Sequence, residues 1–485
     1  TTFLGGSPMF FRMLFDDHLA QAAYLIGCQK TGEAIVIDPQ RDIQRYIDVA
    51  AQEKLKIIAV TETHIHADFL SGAREMAEVL DAKVYASDEG DADWKYLWLD
   101  KKVGGGSYDH QLLKHDDTFM IGNIEFKALH TPGHTPEHIS FLVTDKGGGA
   151  AEPMGIASGD FIFVGDVGRP DLLETAAGIS GTQEDSARTL YQSIQEFKNL
   201  PDYLQLWPGH GAGSACGKAL GAVPQSTVGY EKRFNASVNF TSGEESFVKA
   251  ITTGQPAPPL YFGRMKEQNK TGPAVLGDIP NPEKTTVEDL KTALENGAAV
   301  LDTRSWNDYV AGHLPGALYA PYGKAFSPVA GSYVEEKQQM FLIAEENQVS
   351  TLTLDLIHIG LDSVAGYITP SDYVAYASAG GEEKEITCRP ITDLKSCPTN
   401  DPLLVLDVRR PDEYSEGHLA GTLNIAHTRL LEHLAMIPND REIWVHCRSG
   451  VRSSYAVGLL ASKGYKAVQL DGGFLAWEKA DGIIV

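Results

Sequence analysis

Short β-rich runs alternate with helical patterns over residues 1–245 of this 485-residue chain. Residues 34–38 and 55–60 are apolar runs typical of strands, and residues 43–52 between them have the periodicity of an amphipathic helix. A further strand is predicted within residues 156–164. Strands that end in polar loops predict an α/β sandwich whose loops carry the functional side chains.

The regular pattern weakens after residue 245, where proline becomes frequent. Six prolines lie between residues 256 and 282. Proline removes a backbone donor and interrupts both helices and strands. We therefore predict that residues 246–281 form a linker that wraps over the first domain without forming a packed element.

The C-terminal part of the chain contains an internal repeat. Residues 300–304 of the first copy recur as residues 405–409, and residues 309–317 recur as residues 414–422. The spacing between the two segments is the same in both copies. Two copies of about a hundred residues are longer than solenoid repeats. The repeat therefore predicts two like domains, at residues 282–382 and 383–485.

The two copies differ where the second one carries a cysteine. Cys447 follows the apolar run 443–445, whereas residues 341–346 of the first copy contain no thiol. We therefore expect the first copy to be degenerate. The fold class predicted for the whole chain from these patterns is α/β multidomain.

Charge and cysteine content narrow the classes of protein to consider. The formal net charge of −24 argues against nucleic acid or an anionic membrane as a partner. No apolar run approaches the roughly 18 residues that span a bilayer. Five cysteines are too few, and odd in number, for a disulfide framework, which fits a reducing compartment. We expect a cytoplasmic protein.

Metal-ligand side chains cluster in three short motifs. The first motif carries His64, His66 and Asp68, the second carries His134, and the third carries Asp160. Imidazole and carboxylate groups on loops at strand ends are common donors of protein metal sites. The three motifs together predict a metal centre.

These motifs resemble those of the metallo-β-lactamase superfamily over roughly residues 9–245, and in particular its glyoxalase II and persulfide dioxygenase branch. The superfamily usually has a further histidine for a second metal where this chain has Phe69, and a phenyl ring cannot ligate. The resemblance implies that His64, His134 and Asp160 hold one Fe(II) per chain. Two imidazoles and one carboxylate leave open positions for a persulfide sulfur and O2.

The same resemblance implies roles around the triad. His66 and Asp68 are expected to orient ligands and waters, and His210, which matches a second-metal position, to line the site without ligating. Arg169 and Asp171 lie in a segment similar to the Gly-Arg-x-Asp of persulfide dioxygenases, which implies that they hold the thiol carrier. The alternative is a surface ion pair.

A cysteine follows the His210 loop. Residues 211–218, which contain Cys216, resemble the bacterial persulfide dioxygenase–sulfurtransferase fusions. That resemblance covers the whole chain in the same order, a metallo-β-lactamase-like domain, a degenerate rhodanese and an active rhodanese. It implies an αββα sandwich followed by two rhodanese-like α/β domains with parallel sheets. Two interpretations of Cys216 stay open, a catalytic acceptor of sulfur from a persulfide and a small buried structural cysteine.

Cys447 lies between a predicted strand and a helix expected to start near Val451. Converging backbone N–H groups and the helix dipole favour an anion there, which lowers the pKa of the thiol and makes it a nucleophile. The loop resembles that of rhodanese domains, in which Ser449 and Gly450 would bind the transferred sulfur group.

Two arginines border this nucleophile. Arg448 and Arg452 are expected to attract sulfite or thiosulfate. A cysteine phosphatase is the rival within this chemistry, but phosphatases have five residues between cysteine and arginine. This loop has only four between Cys447 and Arg452.

The combined prediction is a sulfide-detoxification enzyme. The Fe(II) domain would oxidise a low-molecular-weight thiol persulfide with O2 to sulfite and thiol, and Cys447 would transfer sulfane sulfur to give thiosulfate. The alternatives are a zinc glyoxalase II-like thioester hydrolase fused to a sulfurtransferase, and a sulfur-carrier scaffold with a vestigial metal site. The thiol carrier stays open between glutathione, coenzyme A and bacillithiol, and a homo-oligomer is expected.

Overall fold

The computed structural model describes residues 9–172, 181–218, 220–255, 258–397 and 403–485. The chain divides into two compact units, Thr1–Ile279 and Pro280–Val485. No helix within the described residues is both long and apolar enough to cross a bilayer.

The first unit contains two six-stranded sheets, with the strand orders β1-β2-β3-β4-β5-β6 and β12-β11-β10-β9-β8-β7. The strands are β1 (Met9–Asp16), β2 (Gln21–Cys28), β3 (Glu33–Ile37), β4 (Lys56–Thr61), β5 (Lys83–Ser87), β6 (His110–Leu113), β7 (Thr118–Ile121), β8 (Ile124–His130), β9 (Ile139–Asp145), β10 (Gly155–Gly159), β11 (Gln205–Pro208) and β12 (Ser226–Thr227). The helices are α1 (Gln44–Gln52), α2 (Ala73–Leu80), α3 (Gln183–Phe197), α4 (Val228–Phe234), α5 (Glu244–Thr252) and α6 (Phe262–Thr271).

Strand β2 shows why these sheets stack between helices. Its side chains alternate between two cores, because successive residues of a strand point to opposite faces. Ala23 and Leu25 join the core under α1 and α2, whereas Tyr24 and Ile26 join the core between the two sheets. A third core covers the outer face of the second sheet with α3 and α5. The result is the predicted αββα sandwich, which is confirmed.

The segment predicted to be a linker carries two helices in the structure. Phe247, Val248 and Ile251 of α5 are buried in the core that covers the second sheet. Phe262 and Met265 of α6 are also buried. These residues recur at helical spacing, a signal that the surrounding prolines obscured. Residues 256 and 257 of the predicted linker lie outside the described residues.

The second unit contains two five-stranded parallel sheets with the same strand order, β13-β17-β16-β14-β15 and β18-β22-β21-β19-β20. The strands are β13 (Glu283–Lys284), β14 (Ala299–Asp302), β15 (Leu318–Tyr319), β16 (Met340–Ile343), β17 (Val364–Ile368), β18 (Thr387–Pro390), β19 (Leu404–Asp407), β20 (Leu423–Asn424), β21 (Glu442–His446) and β22 (Lys466–Asp471). The helices are α7 (Val287–Glu295), α8 (Trp306–Ala311), α9 (Phe326–Tyr333), α10 (Val349–His358), α11 (Pro370–Ser378), α12 (Pro411–Glu416), α13 (Val451–Ser462) and α14 (Gly473–Lys479). The shared order confirms two like domains.

The two repeats pack against each other through α13. A Cβ on Gly458 of this helix would lie 2.6 Å from the Tyr319 Cβ of the first repeat, so only glycine allows the close approach. The rings of Tyr319 and Tyr455 lie 6.1 Å apart at the same contact. The helix that follows Cys447 is therefore held in place by the neighbouring repeat.

Candidate functional site

Three loops of the first unit bring the predicted triad together. His64 lies in the loop after β4, His134 in the loop between β8 and β9, and Asp160 directly after β10. One ligand atom of each lies within 4.8 Å of the others, and all three side chains are buried. The Asp160 Oδ2 atom lies 3.5 Å from His134 Nε2 and 4.0 Å from His64 Nε2. This group can hold a metal ion.

Hydrogen bonds behind the site orient both imidazoles. The Thr63 hydroxyl donates to Asp38 Oδ2 at 2.8 Å, so it accepts from His64 Nδ1 at 3.0 Å. His134 Nδ1 donates to the Arg169 carbonyl at 3.0 Å. Both Nε2 atoms therefore present lone pairs towards the Asp160 carboxylate, whose oxygens accept no hydrogen bond from the described residues. Lone pairs that converge in this way fit a bound cation.

The protonation states of the triad also suit ligation. Burial lowers the pKa of His64 well below 6.5, and the neighbouring histidines lower it further. Burial likewise lowers the pKa of His134. Burial raises the pKa of Asp160, but the surrounding histidines outweigh it and the net shift is downwards. Neutral imidazoles and an ionised carboxylate are the forms that bind metals.

His66 faces a different partner. Its Nε2 atom lies 3.1 Å from Asp38 Oδ1, and its ring lies 4.4 Å from the ring of the fully buried Phe69. Burial lowers the pKa of His66, but the Asp38 carboxylate outweighs it and raises the value to about 9. A charged His66 paired with Asp38 cannot donate a lone pair to the triad. Its predicted orienting role remains a prediction.

A second group of donors lies beside the triad. The ligand atoms of Asp68, His210 and Cys216 also lie within 4.8 Å of one another, and the three residues are buried. His210 Nε2 lies 3.2 Å from Asp68 Oδ2 and 3.5 Å from Asp160 Oδ1. Burial, together with the Asp68 and Asp160 carboxylates, raises the pKa of the Cys216 thiol well above 9. The predicted roles of these residues stay predictions.

Arg169 and Asp171 form a buried ion pair. The Arg169 Nε and Nη2 atoms donate to the two Asp171 carboxylate oxygens at 2.8 and 2.6 Å. Arg169 Nη1 donates to the Ala215 carbonyl at 3.0 Å, and the side chain is 1% exposed. The pair thus holds the loop of Cys216. The proposed contact with a thiol carrier stays a prediction.

The structure adds residues that the sequence analysis missed. His138 Nε2 accepts the backbone N–H of Asp160 at 3.1 Å, and Glu137 accepts that of Ile65 at 2.7 Å. Asn269 of α6 donates to the carbonyls of His66 at 2.8 Å and Phe69 at 2.7 Å. Glu137 and His138 follow His134 closely enough to be suspected from sequence. Asn269 could not be suspected from its position in the sequence.

Cys447 follows β21, and its buried sulfur lies in a loop that closes with Gly450. The Gly450 backbone N–H donates to Cys447 Sγ at 3.1 Å, and Gly450 has a φ of +110°, which favours glycine. Helix α13 begins at Val451, as predicted. Arg448 and Ser449 are exposed at the mouth of the loop. An N–H group directed at the sulfur stabilises its thiolate.

Arg452 is already paired in this structure. Its Nη1 and Nη2 atoms donate to Glu413 at 2.5 and 2.8 Å. Burial raises the pKa of Glu413, but Arg452 outweighs it and lowers the value to about 2. The exposed Arg448 is therefore the arginine of this loop that is more accessible to an anion. The sulfite-binding roles of both arginines remain predictions.

Comparisons with known proteins agree with this layout. The family model of the metallo-beta-lactamase superfamily matches residues 16–210, and the model of the rhodanese-like domain matches residues 286–368 and 392–480. A solved structure of a metallo-beta-lactamase from Staphylococcus aureus subsp. aureus COL is 45% identical to this chain. The match covers 75% of this chain and 99% of that one, with a TM-score of 0.66.

Two curated relatives carry different functional names. A beta-lactamase hydrolase-like protein of Agrobacterium fabrum is 29% identical over 318 residues, which are 61% of this chain and 66% of that protein. This chain thus spans just under two thirds of that relative's length. The mitochondrial persulfide dioxygenase ETHE1 of Bos taurus is 24% identical over 251 residues, which are 51% of this chain and 82% of that protein.

Proposed function

Because this chain belongs to the metallo-beta-lactamase superfamily and carries two rhodanese-like domains, we propose that it performs two linked reactions of sulfur metabolism. In the first, a low-molecular-weight thiol persulfide, O2 and water give the thiol and sulfite. In the second, Cys447 transfers sulfane sulfur to sulfite and releases thiosulfate. The relative named persulfide dioxygenase supports the first reaction.

The observation that carries the first reaction is the geometry around Asp160. Two imidazole lone pairs and one carboxylate converge, while Phe69 fills the place of a further histidine. An iron(II) ion held by His64, His134 and Asp160 would supply open positions for a persulfide sulfur and O2 and the redox chemistry between them. Thr63 and the Arg169 carbonyl fix the orientation of the two imidazoles.

The second reaction needs a nucleophilic sulfur with a stabilised leaving group. The Cys447 thiolate attacks the outer sulfur of a persulfide and forms a new S–S bond as the carrier thiolate leaves. Sulfite then attacks that outer sulfur, so the S–S bond to Cys447 breaks and thiosulfate departs. The Gly450 N–H and the amino end of α13 stabilise the thiolate that is released.

A specific observation also favours a second candidate, a zinc thioester hydrolase fused to a sulfurtransferase. Asp68, His210 and Cys216 form another donor group beside Asp160, and hydrolases of this superfamily use two metals. The Agrobacterium fabrum relative is named as hydrolase-like. Metal content and O2 uptake separate the two candidates.

The test of the first reaction is His64→Ala in the full chain, prepared without oxygen and loaded with iron. Loss of one triad ligand is expected to remove the bound iron and to lower O2 uptake at least about 100-fold. O2 uptake is measured with persulfides of glutathione, coenzyme A and bacillithiol. His115→Ala, which changes an exposed histidine of the same unit, is the control and should keep both properties. Two bound zinc ions with thioester hydrolysis and no O2 uptake would refute the proposal.

A further inference from the structure

Helix α9 of the first repeat lies against the second repeat. It packs on residues 427–429, which follow β20 and lie at the same end of the parallel sheet as Cys447. Seven of the eight residues of α9 are buried, whereas no residue of Leu431–Met436, the segment at the same place in the second repeat, is buried. A helix buried nearly all round has neighbours nearly all round, and the second repeat is one of them.

Tyr455 joins the two repeats at this end of the sheet. It lies in the second turn of α13, and side chains of a helix point back towards its start, which here is the loop of Cys447. Its ring lies 6.1 Å from the ring of Tyr319 in the first repeat and 5.8 Å from the ring of His427. Burial raises the pKa of Tyr455, and the Cys447 sulfur raises it further, so the phenol lies near that sulfur.

Two buried polar atoms around Tyr455 lack a hydrogen-bond partner among the described residues. They are the hydroxyl oxygen of Tyr333, at the end of α9, and Nδ1 of His427. Tyr333 is only 3% exposed. Burial raises the pKa of Tyr333, and the Tyr455 phenol raises it further, so the hydroxyl keeps its proton. An unpaired buried polar group costs free energy, so a ligand that pairs with both atoms would bind favourably.

The charges around these atoms favour an anion as that ligand. Burial, together with the positive charge of Arg452, lowers the pKa of His427 to about 4. The imidazole is therefore neutral at pH 7 and has one N–H to donate. Glu413 already holds the Arg452 guanidinium, and the exposed Arg448 adds a positive charge at the mouth of the loop. Hydrogen-bond donors beside positive charge are the surroundings that an oxyanion prefers.

We propose that Tyr333 and His427 bind the oxygens of sulfite as it accepts sulfur from Cys447, so that the first repeat completes the sulfur-transfer site of the second. Sulfite attacks through the lone pair on its sulfur, so its oxygens point away from Cys447. The Gly450 N–H is directed at the cysteine sulfur, and the oxygens therefore need donors of their own. The same donors hold the sulfonate end of the thiosulfate that leaves. This inference rests on the second reaction of the proposed function.

A change of acceptor separates contact with these oxygens from a structural role. The full chain is given a thiol persulfide and either sulfite or cyanide, without O2 so that the first unit adds no sulfite. Cyanide has no oxygen atom. Tyr333→Phe should raise the KM for sulfite about 10-fold or more, because a hydrogen bond to an anion is lost, and should leave transfer to cyanide unchanged. Equal losses with both acceptors, or an unchanged KM for sulfite, would overturn the proposal.

His427 is tested through two substitutions. His427→Asn keeps an N–H donor close to the place of Nδ1 and should retain most of the affinity for sulfite. His427→Leu removes the donor and should raise the KM for sulfite about 10-fold or more, again without an effect on transfer to cyanide. If the asparagine variant loses as much affinity as the leucine variant, the N–H of His427 does not bind sulfite.

Tyr309→Phe is the matched control. It removes a buried hydroxyl of the same repeat that donates to the Ala317 carbonyl at 2.9 Å. It should lower the urea midpoint of unfolding and leave the KM for sulfite unchanged. Tyr333→Phe removes a hydroxyl without a partner in the described part of the chain and should not lower the midpoint. A lower midpoint would show that the Tyr333 hydroxyl is paired within the protein, which contradicts the proposal.

Binding to the full chain with Cys447→Ser tests the site without sulfur transfer. Calorimetry with thiosulfate should show binding that weakens about 10-fold when Tyr333→Phe is added. If Cys447 transfers sulfur to neither acceptor, the second reaction of the proposed function fails, and this titration still decides the anion site. If thiosulfate binds equally well with and without Tyr333→Phe while transfer is normal, the anion site alone is refuted, and ordered water then pairs with the two buried atoms.

Discussion

The two repeats of the second unit share a scaffold but differ in the loop that carries the chemistry. In the first repeat, Arg304 donates to Asp302 and to the Gly312 carbonyl, at 2.7 and 2.9 Å from Nη2. In the second, Arg409 makes the same bonds to Asp407 and Gly417 at 2.7 and 2.9 Å. The histidine after each of these glycines also stacks on a tyrosine, with ring centres 4.0 and 3.7 Å apart.

The difference lies after the fourth strand of each sheet in chain order. Cys447 follows β21, whereas Ala344 and Glu345 follow the corresponding β16. The Asp-x-Arg and Gly-His motifs therefore build the domain in both repeats, and they do not by themselves indicate catalysis. Under the proposed function, sulfur transfer would depend on the thiol and on the N–H group directed at it.

The largest effect is expected from removing that thiol. Cys447→Ser should lower cyanide-dependent thiocyanate formation by the full chain at least about 10³-fold, because a hydroxyl forms no persulfide. O2 uptake should be unchanged, and the product should shift from thiosulfate to sulfite. Chromatography of the products, with persulfide in excess, measures the ratio of thiosulfate to sulfite. Residual transfer near the original level would mean that the first repeat, or another thiol, is active.

Cys216→Ser is the companion variant for product analysis. If Cys216 relays sulfur near the metal, its loss should reduce thiosulfate with Cys447 intact. If Cys216 is structural or permanently bound to a metal, the ratio of thiosulfate to sulfite should not move.

Each repeat contains an equivalent Asp–Arg ion pair, and breaking it should lower the stability of either repeat by a similar amount. Asp302→Asn and Asp407→Asn each leave a buried arginine without its charged partner, which costs about 3–5 kcal/mol. Urea denaturation gives the size of the loss, and hydrogen exchange with mass spectrometry shows which repeat loosens. Asp440→Asn, at an exposed pair, should change stability by less than about 1 kcal/mol. A repeat that tolerates its substitution would contradict a common scaffold.

The smallest effect concerns the Glu413–Arg452 pair of the second repeat. Glu413 has a folded pKa of about 2 against an ordinary 4.5, so its pairing with Arg452 stabilises the fold above about pH 4.5. That contribution is lost as the pH falls from about 4.5 to about 2. Glu413→Gln should cost about 1–2 kcal/mol at pH 7 and nothing near pH 2. The carboxylate of the corresponding Asp308 accepts the hydroxyl of Ser305, the N-cap of its own helix, so Asp308→Asn should have a smaller effect.

Features that are periodic or local could be predicted from the sequence. The strands before His64 and Cys447, the helix that starts at Val451 and the duplicated domain all follow from alternation, spacing and repetition along the chain. Helix α6 was not predicted from the sequence. Prolines flank this short helix, and its buried residues could be recognised only once the core that they join was known. Its Asn269 nevertheless holds the loop of His66 and Phe69.

The sequence by itself determined the domain order, the triad motifs, the position of Cys447 and the absence of a cysteine from residues 282–382. Only the tertiary structure decided that His66 pairs with Asp38, that Arg169 holds the loop of Cys216, and that Cys216 meets Asp68 and His210. The reason is physical. Propensity and periodicity act over a few residues, whereas these contacts join loops far apart in the chain, and their partners depend on how the two sheets and their helices pack.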